Sequence, residues 1–241
     1  MGSKKKEIEE LIDNLSNWDD TTRIEAAEAL GEIVDESAIT PLLKAFKEDQ
    51  SEDVRAASAN ALGKFFGNKK VAKELGLTMS KETSPIVRVA IANAIGYLED
   101  ISTAKLMIPI LEKDDSEWVQ EAIIEAFGEI KSKEFSKILI KYLKNDSSEI
   151  RIQTAMALMK IADKRNLDVL LDAFQNEKSD EVKSHVTQAI AEIPNIKSVE
   201  ILMKALDEEN NPLTHAAVSD ALFKIATKLG FKDENEMIDS I

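Results

Sequence analysis

Apolar residues along this chain of 241 residues do not alternate with polar ones. They recur three and four positions apart, the spacing that lays a single stripe along an α-helix. The segment "VRAASANALGKF", beginning at Val54, carries such a stripe, with small residues in its middle and Gly near its end. Six further segments align with it: "TRIEAAEALGEI" from Thr22, "VRVAIANAIGYL" from Val87, "VQEAIIEAFGEI" from Val119, "IRIQTAMALMKI" from Ile150, "VKSHVTQAIAEI" from Val182 and "THAAVSDALFKI" from Thr214. The second residue of each serves as an anchor. These anchors, Arg23, Arg55, Arg88, Gln120, Arg151, Lys183 and His215, are 32, 33, 32, 31, 32 and 32 residues apart. A steady period of that size marks stacked structural repeats.

Six residues after every anchor stands an alanine: Ala29, Ala61, Ala94, Ala126, Ala157, Ala189 and Ala221. The next position is always large and apolar, and the position three beyond it is Ile33, Phe65, Leu98, Ile130, Ile161, Ile193 or Ile225. At about 100° per residue these share one helical face, and the invariant Ala predicts close packing there. This is the B helix of each repeat. Upstream of each lies another apolar pattern, such as "ITPLLKAF" from Ile39 or "AKLMIPIL" from Ala104, which predicts an A helix. Segments such as "KEDQSED" and "KNDSSEI" between them carry Ser, Asp and Asn able to cap the following helix, and Pro85 and Pro212 fit a first helical position.

A pair of amphipathic helices cannot bury its apolar faces alone, so successive hairpins must stack. The expected architecture is all-α, with hairpins over residues 4–34, 37–66, 69–98, 101–131, 134–163, 166–193 and 196–229, a tail from 230 to 241, and one domain over 1–241. The tail is expected to cover the last hairpin through Met237, Ile238 and Ile241. Because Gly76 interrupts "KKVAKELGLTMSKE", the A helix of the third hairpin is expected to be the least regular.

Composition agrees with helices. Apolar residues make up 44% of the chain but aromatics only 5%, so the core draws mainly on Ala, Leu and Ile. Cysteine is absent, which excludes disulfides and thiolate chemistry and fits a reducing, cytoplasmic setting. No apolar run approaches the roughly 18 residues of a bilayer span, and the N-terminal segment reads as an amphipathic helix, not a signal peptide. The net charge of -14 disfavours nucleic acid and suits a neutral or basic protein partner.

With an acid before the turn, Val-Arg opening the second helix and Ala-Leu-Gly closing it, the units resemble HEAT repeats, in particular the phycobilin-lyase-like HEAT subfamily, over nearly the whole chain. The resemblance implies a right-handed α-α superhelix of about seven hairpins, A helices convex and B helices concave. It also implies a hydrogen-bonded ladder matching Asp49 with Arg55, Glu82 with Arg88, Asp114 with Gln120, Asn145 or Asp146 with Arg151, and Glu177 with Lys183. Gln120 and His215 depart from the pattern, so the ladder should weaken at the fourth and seventh repeats. The arginines are accordingly assigned to the scaffold, and Gly31, Gly63, Gly96 and Gly128 to close helix approach, not to phosphate binding.

Candidate chemistry is sparse. The histidines are His185 and His215, without a second His at helical spacing, and no His-Glu dipeptide exists to build the di-iron centre of deoxyhypusine hydroxylase, an enzyme class with this repeat. No phosphate-binding glycine loop or nucleophile elbow occurs. The expectation is a protein that is not an enzyme and carries no metal or cofactor. Lys133, Lys137, Lys141 and Lys144 form one basic stripe, read as a solvated face.

With the core stripe fixed, positions one, five and eight after each anchor point away from the A helices and should form the inner wall. The candidate binding residues are Ile24, Glu28, Asn60, Val89, Asn93, Tyr97, Glu121, Glu125, Ile152, Met156, Met159 and Gln188. Ile152, Met156 and Met159 should give an exposed apolar anchor and the glutamates acidic contacts. The function read from this is an interaction scaffold taking a protein or peptide on its concave face. The alternative, resting on the resemblance alone, is a bilin lyase-like accessory or chaperone acting on a tetrapyrrole.

Overall fold

A computed structural model describes residues 2–208 and 211–240. The first hairpin is α1 (Gly2–Asn14) and α2 (Asp20–Ile33), the second α3 (Ile39–Glu48) and α4 (Glu52–Gly63), the third α5 (Lys69–Met79) and α6 (Pro85–Leu98). In the fourth, α7 (Ile101–Ala104), a 3₁₀ turn and α8 (Ile108–Leu111) precede α9 (Glu117–Ile130). There follow α10 (Ser136–Tyr142) with α11 (Ser148–Ile161), α12 (Leu167–Asn176) with α13 (Asp180–Ala191), α14 (Ile196–Glu208) with α15 (Pro212–Leu229), and a short α16 (Glu234–Asp239). No strand occurs among the described residues, as the periodicity predicts. The chain, read from its sequence as one domain, groups into two compact units that meet in sequence at Ile130 and Lys131.

Within each unit the hairpins stack and bury the predicted stripe. In the first, Leu30, Leu62, Ile95 and Phe127 at position seven are fully buried, and in the second Leu158, Ile190 and Leu222 are. The alanine before each is buried in every repeat except the first, where Ala29 is half-buried. Its role is visible in what it touches. A Cβ built on Gly31 would lie 2.9 Å from Ala61 Cα, one on Gly63 2.8 Å from Ala94 Cα, and one on Gly96 3.1 Å from Ala126 Cα. Each glycine therefore lets its helix settle on the alanine of the next, as the sequence implied. Contact between successive B helices is much more extensive than between successive A helices, so in the first unit the stack curls towards its B side. In the second unit Met159 and Ala191 occupy the glycine register, and α11, α13 and α15 pack less intimately.

The ladder exists, but its partners differ from those expected. Arg23 Nε and Nη2 donate to the two Asp49 carboxylate oxygens at 2.8 and 3.0 Å. Arg55 does the same to Glu82 at 3.1 and 3.0 Å, Arg88 to Asp114 at 2.7 and 2.9 Å, and Arg151 to Glu177 at 2.8 and 3.1 Å. The acid thus serves the arginine of the preceding repeat. Within its own repeat's turn the arginine meets the backbone, not the acid: Arg55 Nη1 donates to the carbonyls of Asp49 and Gln50 at 3.0 and 3.3 Å. The reason is local. Asp49 Oδ1 accepts the Ser51 N–H at 2.9 Å, which turns the carboxylate outward to the neighbouring hairpin and leaves the carbonyl facing inward.

At the fourth repeat Gln120 keeps the backbone half of this arrangement, donating to the Asp114 carbonyl at 2.6 Å. The acid position of the fifth turn is Asn145, so both charges of that rung are missing together. Between α13 and α15 another polar contact appears, with Asn211 Nδ2 and Thr214 Oγ1 donating to Asp180 at 2.7 and 3.2 Å.

Caps follow the sequence in part. Asp19, Asn68, Asp100, Ser179 and Asn211 accept N–H groups of the helices they precede. Ser51 and Ser147 make no such side-chain bond, contrary to expectation, and neither does Ser84; in all three turns the serine N–H is held by the acid or amide two residues earlier. Pro85 and Pro212 begin their helices as predicted.

The irregular A helix is not the third but the fourth. α5 runs unbroken through Gly76, whose missing Cβ makes room for Thr103 and Leu106; a Cβ there would stand 2.6 Å from Thr103 Cγ2. The break falls at Lys105–Met107, where Pro109 has no N–H for the carbonyl four residues before it. At the other end α16 packs against the last hairpin, with Met237 buried and Ile238 half-buried; the expected contribution of Ile241 lies outside the described residues.

Candidate functional site

The open wall is built by two registers of the B helices, four residues apart and hence on one face. In the first unit position five supplies Glu28, Asn60 and Glu125, all exposed, and the half-buried Asn93. Position nine supplies Glu32, Lys64 and Tyr97, exposed, and the half-buried Glu129. Between α2 and α4 runs a groove of about 550 Å³, bordered by Glu25, Glu28, Glu32, Asn60 and Lys64. Between α6 and α9 lies a smaller cleft of about 80 Å³, with Asn93, Tyr97, Glu125 and Glu129 around Gly96 and Ala126. The glycine–alanine contacts make both floors.

Position one behaves differently from the expectation. Ile24, Val89 and Glu121 are half-buried and Ala56 is buried, so this register sinks into the joint between neighbouring helices instead of lining the wall. The same holds in the second unit. Ile152, Met156 and Met159 are half-buried, not the openly exposed cluster anticipated, while Gln188 is exposed. Their helix packs against α13.

Position nine is represented among the sequence candidates by Tyr97, and Lys64 is missed. Its signal was the four-residue step from position five. Lys64 Nζ donates to Glu32 Oε1 at 2.9 Å across the α2–α4 joint. In the second unit Lys224 at the same register bonds to Glu192, as does Lys228. Burial alone would raise the Glu192 carboxyl, but the bonds from the two lysines outweigh it and hold its pKa below the ordinary value. The large exposed aromatics Trp18 and Trp118 stand near the starts of α2 and α9, at the turns from A to B helices. Among the described residues no group of three or more His, Asp or Glu is arranged to hold a metal ion, and no helix is long and apolar enough to cross a membrane.

The stacked hairpins, the acid–arginine ladder and the glycine–alanine joints agree with a family match. The model of HEAT repeats matches residues 8–96, 72–148 and 104–191, well over half the chain. The chain belongs to the HEAT-repeat family. No curated protein matches its sequence significantly. Among solved structures, this HEAT-repeat protein resembles the complex of CpcE and CpcF of phycocyanin lyase from Nostoc sp. PCC7120, with a TM-score of 0.58 and 20% identity over 97% of this chain and 92% of that one. It also resembles importin beta, with a TM-score of 0.70 and 14% identity, over 92% of this chain and 36% of that chain. It therefore spans about a third of importin beta.

Identities this low establish the fold alone. They nevertheless correct one expectation. The reading of this HEAT-repeat protein as a non-enzyme is not upheld, because the same architecture occurs in a phycocyanin lyase.

Proposed function

We propose that this HEAT-repeat protein binds a protein segment or peptide in extended form along the open wall of its first compact unit. The observation that carries the reading is the position-five row. Asn60 and Asn93 stand on adjacent helices α4 and α6, between the carboxylates Glu28 and Glu125. A carboxamide offers one donor and one acceptor in the geometry of a peptide group, so it can engage a main chain irrespective of its side chains. The flanking acids, and the charge of -14, favour a neutral or basic partner. In the second unit Ile152, Met156 and Met159, with Gln188 nearby in register, offer an apolar contact of the same class.

Selection of a randomised peptide library on the native protein tests this, with enriched peptides re-measured against Asn60→Ala/Asn93→Ala. Each lost hydrogen bond removes about 0.5–1.5 kcal/mol, so the double variant, losing at least one bond at each position, should bind at least about fivefold more weakly. Peptides that bind native and variant alike would overturn the reading, as would a library that yields none.

A second reading follows from the likeness to phycocyanin lyase: an accessory or lyase-like role on a tetrapyrrole. Absorbance titration with a linear tetrapyrrole tests it. A saturable spectral shift supports it, and an unchanged spectrum at micromolar ligand dismisses it.

A further inference from the structure

We infer that the outer face of α15 is a self-association surface, on which a second copy of this chain docks with its own α15 antiparallel about a two-fold axis. The inference goes beyond the peptide reading and does not depend on it, since it concerns another face, in the second compact unit.

It begins from a face that the other stacked B helices hide. Positions four and eight after the anchor point towards the B helix that follows, as the close approach of Gly31 to Ala61 and of Gly63 to Ala94 shows for position eight. At position four Ala27, Ala59 and Ala92 in the first unit, and Ala155 and Thr187 in the second, are fully buried. On α15, which no further B helix follows among the described residues, that position is the half-buried Ser219. Position eight is a buried glycine on α2, α4 and α6, the half-buried Met159 on α11 and the buried Ala191 on α13, but on α15 it is Phe223, 54% exposed. Ala216 and Thr227, which form one stripe with Ser219 and Phe223 at steps of three and four residues, are exposed as well. α16 therefore leaves this face open.

In the joints of the first unit a Cβ alone at position eight would stand 2.8 to 3.1 Å from the next helix, so the Phe223 ring excludes a further hairpin stacked in that way. The face complements itself instead. With the two Phe223 rings meeting at the axis in an offset stack, Ser219 of one copy lies opposite Thr227 of the other and Ala216 opposite Gly230, small against small. The Thr227 hydroxyl already donates to the Phe223 carbonyl at 3.0 Å, so covering it strands no donor. Charge agrees. The exposed Asp220 stands on the same flank of α15 as Lys224 and Lys228, the two lysines that bond to Glu192. Antiparallel pairing brings each Asp220 alongside the other copy's lysines, so opposite charges face each other on both sides of the axis. The stripe between them is uncharged, which makes it the place where two chains of net charge -14 meet with little repulsion.

Sedimentation equilibrium of the native chain between about 1 and 200 µM tests this: the average mass should climb from one chain to two and stop there. Phe223→Glu, at an exposed position where circular dichroism should show the fold intact, should weaken association at least about tenfold. A second measurement fixes the register. The chain has no cysteine, so Ser219→Cys/Thr227→Cys introduces its only thiols. They lie about 12 Å apart along their own helix, too far to join within one copy when a disulfide needs Cβ atoms about 3.5–4.5 Å apart. Each faces the other's counterpart across the axis, so mild oxidation should give a covalent dimer, and Gln188→Cys on the open wall should not. A chain that stays single throughout would leave the face to a different protein and overturn the inference. A mass that grows past two copies, a dimer indifferent to Phe223→Glu, or cross-linking no faster in the double variant than in Gln188→Cys would overturn it equally.

Discussion

Replacing Gly63 by alanine sets two physical effects of opposite sign against each other. Gly63 is the last residue of α4, and within a helix Ala is favoured over Gly by about 0.5–1 kcal/mol. On propensity alone the variant should be more stable. Its new Cβ, however, would stand 2.8 Å from Ala94 Cα and 2.9 Å from Ala94 Cβ, where carbon atoms settle at about 3.5–4.0 Å. Neither neighbouring atom can rotate aside, since one is backbone and the other is fixed directly to it. α6 must therefore retreat by roughly 0.7 Å or more, loosening a joint in which Ala59, Ile91, Ala94 and Ile95 are fully buried. Overpacking of this kind costs about 1–3 kcal/mol, so the net expectation is a loss of about 1–2 kcal/mol. In a chain of this length that lowers Tm by about 2–8 °C. Thermal unfolding followed by circular dichroism, for Gly63→Ala beside the wild type, measures it. Gly96→Ala should lose less, because its Cβ would stand 3.1 Å from Ala126 Cα. Adding Ala94→Gly to the Gly63 variant should recover only part of the loss, because the contact with Cα remains. A Gly63→Ala protein more stable than the wild type would refute the view that these joints are set by steric fit.

The remaining predictions concern the ladder and one helix end. Arg55→Gln, which copies the residue at position 120, leaves the Glu82 carboxylate, 8% exposed, without its guanidinium; a loss of about 2–3 kcal/mol is expected in urea unfolding, and a change within 0.5 kcal/mol would count against a structural role. Burial alone would raise the Glu82 and Glu177 carboxyls, but bonds from Arg55 and Arg151 and from backbone N–H groups hold both below the ordinary 4.5. Their folded-state pKa being the lower, their stabilisation is complete above about pH 4.5 and drains as pH falls through the depressed values. A stability–pH profile should therefore decline on the acid side of that point, and less steeply in Arg55→Gln; equal slopes would exclude Glu82 as a contributor. Val34 ends α2 with φ 51°, a left-handed conformation unfavourable to a β-branched residue, and it is 44% exposed, so Val34→Gly should raise stability by about 1 kcal/mol in a thermal melt. A lower Tm would show that the Val34 side chain contributes more than its strain costs.

The inner-wall residues were legible in the sequence to unequal degrees. At position five Glu28, Asn60, Glu125 and Gln188 are exposed as expected, since helical geometry within one segment sets them opposite the buried stripe, but Asn93 and Met156 are half-buried. Position one was less legible. Ile24, Val89 and Ile152 point as predicted from their own helices, but the neighbouring B helix approaches closely enough to cover them in part. That approach depends on pairs such as Gly31 with Ala61, members of different repeats.

The sequence by itself determined what is local and periodic: the hairpin unit, its register, the alanine that is small because a glycine-bearing helix rests on it, and the prolines that start α6 and α15. Each is written within one turn or repeated at a fixed interval, so a single chain read alone suffices. Tertiary structure decided what passes between repeats. A 32-residue period is equally compatible with Arg55 bonding its own Asp49 or the next repeat's Glu82. Only the stacking offset, with Asp49 already committed to the Ser51 N–H, selects the second. Gly76 is tolerated in α5 for a reason of the same kind, because Thr103 and Leu106 of the neighbouring hairpin fill the space above it, whereas the break in the fourth A helix is local to Pro109 and its missing N–H.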